Sequence, residues 1–359
     1  QLDDTKRKLF DKILAQGESL ENVVNGKIYY GVKTGLNEAF IIDHTTRNRL
    51  ITEDPNNQAI IKPMLRGADL RPWYQAFQGE YLIFTRRGID IDQYPVIKQY
   101  LDTYRQQLEP KPNDWPTKKH WAGRKAGSYR WYEIQDSVDY YSAFDEQKIS
   151  WPDITKRPRF SFTKPNIFLN NTGYLIPSND GFLLGYLQSR VTWFTISKIS
   201  IALGERAGLE RYRLVYQYMS EVPIPLAEFN RDEIEKLALT ITQAAQTRYQ
   251  LHEETRHRII TDLDPENHAL NNALTAWWDL NFVKFRAEIK KVFKRDIPLK
   301  ERHEWELYLA DAQHQHQQLT AQIITQETQL NAHVYKLFHL TPEEIHLIEQ
   351  STKYNYGEV

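Results

Sequence analysis

Between residues 111 and 164 the sequence concentrates groups able to hold an anion. Lys118, Lys119, Arg124, Lys125 and Arg130 follow one another with no acidic residue between them. Trp115, Trp121, Tyr129, Trp131 and Tyr132 are interleaved with them. Cationic side chains neutralise phosphates, and a guanidinium can also read a guanine edge as a bidentate donor. Planar rings can stack on an exposed base or wedge into a groove. Gly123 and Gly127 leave room for close backbone approach. A tryptophan taken singly is more often buried, with neighbouring cations snorkelling outward. The cluster as a set is read as facing nucleic acid. A second group is Lys62, Arg66, Arg71, Arg86 and Arg87, tempered by Asp69 and Glu80. A third is Arg206, Arg211 and Arg213, beside Gly204 and Gly208. Either of these also reads as an ordinary solvated face. The expected DNA-binding set is Lys118, Lys119, Trp121, Arg124, Lys125, Arg130, Trp131, Arg66, Arg71, Arg206 and Arg211.

Catalytic patterns are easier to exclude than to find. There is no phosphate-binding Gly-x-x-x-x-Gly-Lys and no Gly-x-Gly-x-x-Gly. Without a Pro-Pro dipeptide, the Asn-Pro-Pro-Tyr type motif of amino-group DNA methyltransferases is missing too. Zero cysteines remove disulfides, thiolate zinc sites and cysteine nucleophiles. The eleven histidines form no His-Glu-x-x-His, and His314 and His316 read as solvent-facing on a polar helix. Asp139, Glu146 and Lys148 sketch a magnesium-dependent nuclease, but Glu-x-Lys recurs at Glu288 and Lys290, so the pattern is unspecific. No catalytic or metal-binding residue is expected in this chain. A formal net charge of −1 gives no global nucleic-acid signal, so local patches must carry that reading.

These residues need elements to position them, and the apolar spacing suggests an α+β chain. At 359 residues there is material for two or three packed units. Residues 1–24 read as a leading helix. Residues 27–33 and 39–43 read as two short strands around a Thr-Gly-Leu-Asn turn, with further strands at 81–85, 148–151, 159–163 and 174–177. Helices are expected at 96–108 and 180–189. Val222-Pro-Ile-Pro225 marks a boundary. Beyond it, 231–262, 270–293 and 299–338 carry apolar residues at three-, four- and seven-residue steps, among them Leu307, Leu319, Ile323 and Leu330. This predicts a helical hairpin or bundle. Thr341-Pro-Glu-Glu344 is an N-cap, N1 proline and acidic first turn. The expected division is a leading helix at 1–24, a mixed α/β unit at 25–226, and a long-helix hairpin or bundle at 227–359.

Several segments together carry a resemblance. Gly31-Val-Lys-Thr-Gly-Leu-Asn-Glu-Ala-Phe-Ile-Ile-Asp43 and Ile61-Lys-Pro-Met-Leu-Arg-Gly-Ala-Asp-Leu-Arg71 resemble the opening motifs of the TaqI-like C-terminal specificity domain. Ser178-Asn-Asp180, Tyr186-Leu-Gln-Ser189 and the closing Val222-Pro-Ile-Pro225 continue it in order. The tail from Asn331 to Ile345 is similar to the helical ending of fused restriction-methylase (type IIG) enzymes. The resemblance implies an α+β target-recognition domain that selects a duplex DNA sequence for an adenine-N6 methyltransferase. It implies that S-adenosylmethionine, and magnesium where a nuclease is attached, belong to other domains of a longer enzyme. The expected partners are double-stranded DNA and the methyltransferase domain of the same chain, in the cytoplasm, with no membrane. The start at Gln-Leu-Asp-Asp agrees with a fragment. The motif residues are expected to be structural: Gly31 and Gly35 permit a turn, Asn37 caps it, and Gly67 lets Arg66 and Asp69 face opposite ways. The rival readings are a type I specificity subunit and a protein-binding scaffold of a phage-defence methyltransferase.

Overall fold

The computed structural model describes residues 2–264 and 266–359. Its centre is a four-stranded antiparallel sheet ordered Tyr29–Tyr30, Gly173–Pro177, Lys148–Pro152, Ser161–Thr163. Successive side chains of a strand point to opposite faces. Leu175 accordingly enters one apolar cluster, with Phe40, Leu82, Phe144 and Phe168, while Ile176 enters another, with Trp151, Phe160 and Leu184. The sheet therefore separates two cores, and one of its two inner strands, Lys148–Pro152, is buried along its whole length.

The first core is closed by a second sheet, ordered Ile41–Ile42, Tyr81–Ile83, Ile61–Leu65, Phe168–Leu169, whose last pair is parallel. The two short strands expected around Thr34 to Asn37 do not form a hairpin. Tyr29–Tyr30 joins the central sheet and Ile41–Ile42 the second, with a short helix Asn37–Phe40 between them. The turn is built as expected at Gly35, whose φ is +82°, and Thr34 Oγ1 donates to Asn37 Oδ1 at 2.8 Å. Gly31 has a different reason to lack a side chain: a Cβ there would lie 1.8 Å from the Asn170 carbonyl oxygen.

The second core runs without a break into the helical part. Helix Gly181–Leu187, capped by Asp180, is buried on every side. It lies against helix Arg231–Leu263 so closely that a Cβ at Gly185 would stand 2.9 Å from Ile234 Cγ2. Ile234, Ala238 and Ile241 meet Ile323, Leu330 and Val334 of helix Arg302–Leu337, whereas Ile259 and Leu263 meet Trp305 and Leu309. That reversed pairing makes the two long helices an antiparallel hairpin. Its far end has a core of its own around Trp277, Phe285 and Ile289. Leu307, expected on the apolar face, is 58% exposed. The Thr341 cap forms as read, with a reciprocal Glu344 bond closing a capping box on helix Pro342–Thr352.

The expected leading helix ends early, at Ala15, and Gly17–Ser19 pairs with Pro223–Pro225. The proline-rich segment is thus a strand that ties the two ends of the mixed unit together, and the helical hairpin shares its core with that unit. Among the described residues no helix is long and apolar enough to cross a membrane.

Candidate nucleic-acid interface

The structure sorts the expected cations by burial. Arg124 is corrected from a DNA-facing to an interior residue, only 4% exposed. Its guanidinium donates to the carbonyls of Leu108 (2.8 Å), Thr34 (2.8 Å), Trp131 (2.9 Å) and Arg130 (3.3 Å). The Tyr129 ring lies 4.4 Å from its Cζ. Burial, above all, pushes its pKa down to about 10. Arg124 therefore organises the loop from within, fastening it to the motif turn at Thr34. The two tryptophans at the loop's outer end are also committed locally. Trp115 and Trp121 meet edge to face at 4.8 Å, and Trp121 Nε1 donates to the Glu109 carbonyl. Trp131 is covered by the Arg105 guanidinium at 4.1 Å. What the loop presents to solvent is Lys118, Lys119, Lys125 and Arg130, none of them in an ion pair among the described residues.

Arg66 and Arg71 of the second cationic group meet Arg206 and Arg211 of the third, whereas Lys62 and Arg86 line a separate cavity and Arg87 bonds Ser128 and the Gln135 carbonyl. Arg71 and Arg211 line one cavity of about 340 Å³, together with Lys156, Arg159 and Arg206. Arg66 lines an adjoining cavity of about 360 Å³, which shares Ala68, Ile154, Arg159 and Arg206 with the first. The cleft so formed lies between the Gly67–Asp69 turn, the 152–159 segment and the hairpin Ala202–Arg206/Leu209–Arg213. The hairpin turns on Ala207 and Gly208, both with positive φ, as tight two-residue connections require. It docks by pairing Tyr212 and Arg213 with Thr155 and Ile154.

The opposite wall is set by the second motif. A Cβ on Gly67 would lie 2.4 Å from the Thr172 carbonyl oxygen, and the Gly67 N–H donates to Thr172 Oγ1. Asp69 is buried and accepts the Arg66 N–H at 2.7 Å, while burial raises its pKa. The Arg66 guanidinium turns the other way, to Glu80, at 2.8 Å. Two residues beyond Arg71, Trp73 sits buried at φ +75°, its N–H bonded to the Phe160 carbonyl. A left-handed backbone at a bulky residue costs about 1–2 kcal/mol and persists only where its surroundings hold it. That strained turn fixes Arg71 beside the strand that follows Arg159.

Not every cleft cation is free. Arg211 donates to the Leu203 and Gly204 carbonyls and braces its own hairpin. Arg71, Lys156, Arg159 and Arg206 have no side-chain hydrogen bond or ion pair among the described residues, and Asp153 is an acid on the cleft's wall. Burial raises the pKa of Asp153 as well. Lys156 and Arg159 were outside the expected set. Their signal is the acid-free run Lys156-Arg-Pro-Arg159.

Two further sites singled out in the sequence are Lys148, from the unspecific Glu-x-Lys pattern, and His316, whose expected exposure is corrected. Lys148 is fully buried and donates to the carbonyls of Phe144, Glu146 and Lys164, all within 3.1 Å. Burial pushes its pKa down to about 8. Asp139 and Glu146 point to solvent, so no nuclease centre is assembled there. His316 is not solvent-facing: it is buried against His252, Nε2 to Nδ1 2.8 Å, with the Trp278 ring stacked over both. His314 is exposed as read. No group of three or more His, Asp or Glu among the described residues is placed to hold a metal.

The α+β unit thus carries a cation-lined cleft, and a helical hairpin packs against that unit. Residues 62–224 match the TaqI-like C-terminal specificity domain. Residues 227–334 match a domain of unknown function, DUF8810. The type II methyltransferase M.BanIII of Aneurinibacillus aneurinilyticus is 24% identical over 215 residues, covering 56% of this chain and 34% of that protein. The chain thus spans about a third of the length of that relative. Among solved structures, the type IIL restriction-modification enzyme MmeI in complex with DNA aligns with a TM-score of 0.43 and 17% identity, over 82% of this chain and 36% of that one. The type IIG restriction endonuclease BpuSI aligns at 0.37 and 12%, over 65% and 28%.

Proposed function

We propose that this chain recognises a duplex DNA sequence on behalf of a restriction-modification methyltransferase that modifies adenine at N6. The observation that carries the reading is the cationic cleft lying within the specificity-domain segment, its cations drawn from three separate stretches of chain. Convergence of charges distant in sequence, most of them without internal partners, is what phosphate contacts require. Methyl transfer, and its S-adenosylmethionine, belong to another domain of the same enzyme, as does magnesium where a nuclease is attached. The methyltransferase domain and the DNA are then this chain's two partners, and the cytoplasm is its place.

The test is the affinity of the purified chain for duplex DNA across a salt series. Four to six phosphate contacts give a slope of log affinity against log salt of roughly −4 to −5. Binding that ignores salt would defeat the reading, and so would methylation of DNA by this chain alone.

A further inference from the structure

We propose that Arg159 is the anchor of a phosphate subsite, with Arg71 and Arg206 closing on the same anion, and that its ligand is one backbone phosphodiester of duplex DNA. The assignment rests on the DNA-recognition reading and adds to it a place and a residue. Arg159 lines both halves of the cleft, so an anion resting on it lies at the junction of the two cavities. Its Nε is sealed from solvent without any hydrogen-bond partner, and none of its nitrogens finds an acceptor among the described residues. An arginine cannot relieve that situation by losing its proton under ordinary conditions. Its charge is made costlier by burial first, then by the neighbouring Arg71 and Arg157, which together push the pKa down to about 10.

A site that keeps like charges together at such cost gains when an anion enters. The walls are prepared for it. Arg71 is held in place by the strained turn at Trp73, whose N–H is fixed to the Phe160 carbonyl, one residue from Arg159. Arg206 reaches in from the hairpin on the far side. A phosphodiester offers two charged oxygens, and a guanidinium with free donors meets them as a fork. Glu358 is the acid whose charge bears on Arg159, but it is ion-paired to Arg157, and neither it nor Asp153 on the wall bonds the Arg159 guanidinium.

The experiment uses the full chain and the variants Arg159→Met and Arg159→Lys, with three readouts: duplex affinity over a salt series, thermal unfolding without DNA, and unfolding with added inorganic phosphate. We expect Arg159→Met to bind duplex about tenfold more weakly or worse, with the salt slope shallower by about one. Arg159→Lys should keep part of the affinity. Without DNA, Arg159→Met should melt no lower than the parent, because the removed charge had no internal partner. Inorganic phosphate should raise the melting temperature of the parent more than that of Arg159→Met.

A merely structural arginine would behave otherwise: its methionine variant would melt lower and lose DNA only in proportion to lost fold, which overturns the assignment. Parent-like affinity and slope in Arg159→Met, with the parent binding DNA, also overturn it and leave the proposed function standing. A parent that binds no duplex ends both. Phosphate protection of the parent with no duplex binding would make this a site for a free phosphate, against the proposal.

Discussion

Arg124 and Arg159 are two guanidiniums under the same electrostatic stress, and the molecule answers it in opposite ways. Burial pushes each to a pKa of about 10. Arg124 is met by four backbone carbonyls and aromatic faces, so the loop that carries it is folded around the charge. Arg159 is met by none, and shares its cleft with Arg71, Lys156 and Arg206, which also lack partners among the described residues. A cation satisfied inside the protein builds structure, and one left unsatisfied at a cleft is available to a ligand. Histidine shows a third answer. His252 and His316 are held neutral by burial and by the nearby Arg248, with His316 adding to the effect on His252, so no charge remains to be compensated.

The comparison breaks most visibly at Arg124. Arg124→Met strands the carbonyls of Leu108 and Trp131, leaves that of Thr34 with only the Gln135 N–H, and should cost about 3–5 kcal/mol of unfolding free energy. The denaturant midpoint checks this, with Arg159→Met beside it as the variant that should lose nothing. Equal losses in both would erase the distinction drawn between them.

Trimming the C-terminus tests the same idea where the charge is met by a different partner. Arg157 is 1% exposed and is bonded to Glu358 and to the Asn355 carbonyl at 3.2 Å. Arg248 donates to the carbonyls of Gly357 and Glu358, and Gly357 N–H in turn donates to buried Glu327. Deleting residues 355–359 leaves two buried guanidiniums and a buried carboxyl short of partners. We expect a loss of about 2–4 kcal/mol. Restoring only the backbone, by Glu358→Gln in the full chain, should recover most of it. If the truncated chain kept its midpoint, the tail would be decoration.

The histidine pair supplies a pH signature. Its folded pKa values lie below the ordinary histidine value, so the unfolded chain takes up protons first as pH falls. Stability is therefore fully present above about pH 6.5 and declines below it, by about 1–3 kcal/mol toward pH 4.5. Carboxylates with lowered pKa, such as Asp296, lose stability in the same direction at still lower pH. The measurement is thus the difference between the parent and His252→Phe/His316→Leu. A parallel pH dependence in the two would mean that the pair is not buried neutral.

What sequence could tell followed from how each element is stabilised. The long helices announce themselves because Ile234, Ala238 and Ile241 repeat at helical steps onto a single core. Thr341 and Glu344 mark a helix start because a cap is a local interaction between near neighbours. The hairpin at 202–213 was invisible as strands: its residues are largely solvated, so no apolar alternation betrays them. Tyr29–Tyr30 and Ile41–Ile42 looked like one hairpin because both flank a real turn, and only tertiary pairing sends them to different sheets. The candidate site was half legible. Arg66, Arg71, Arg206 and Arg211 were named as separate faces, and their meeting in one cleft depends on long-range contacts. Arg124 and Lys125 are adjacent cations in a sequence, and nothing but burial separates a structural charge from a presented one.

The smallest expected effect concerns the lysines at the tip of the loop that Arg124 holds. Lys118 and Lys119 are exposed and outside every ion pair among the described residues, so their replacement should leave the fold alone. They reach the cleft's DNA only if the duplex extends along residues 31–35, the segment whose one end bridges Asn170 at the cleft edge and whose other end bonds Arg124. Lys118→Ala with Lys119→Ala should then weaken binding about equally for every duplex sequence. The salt slope should become shallower by about one to two, since each lost phosphate contact removes about 0.9. The variant must melt like the parent for the comparison to count, and its loss should add to that of Arg159→Met, because the two sites share no partner. A slope unchanged by the lysines but altered by Arg159→Met would confine the DNA to the cleft. The reverse result would move the interface to the loop, where the sequence had first placed it.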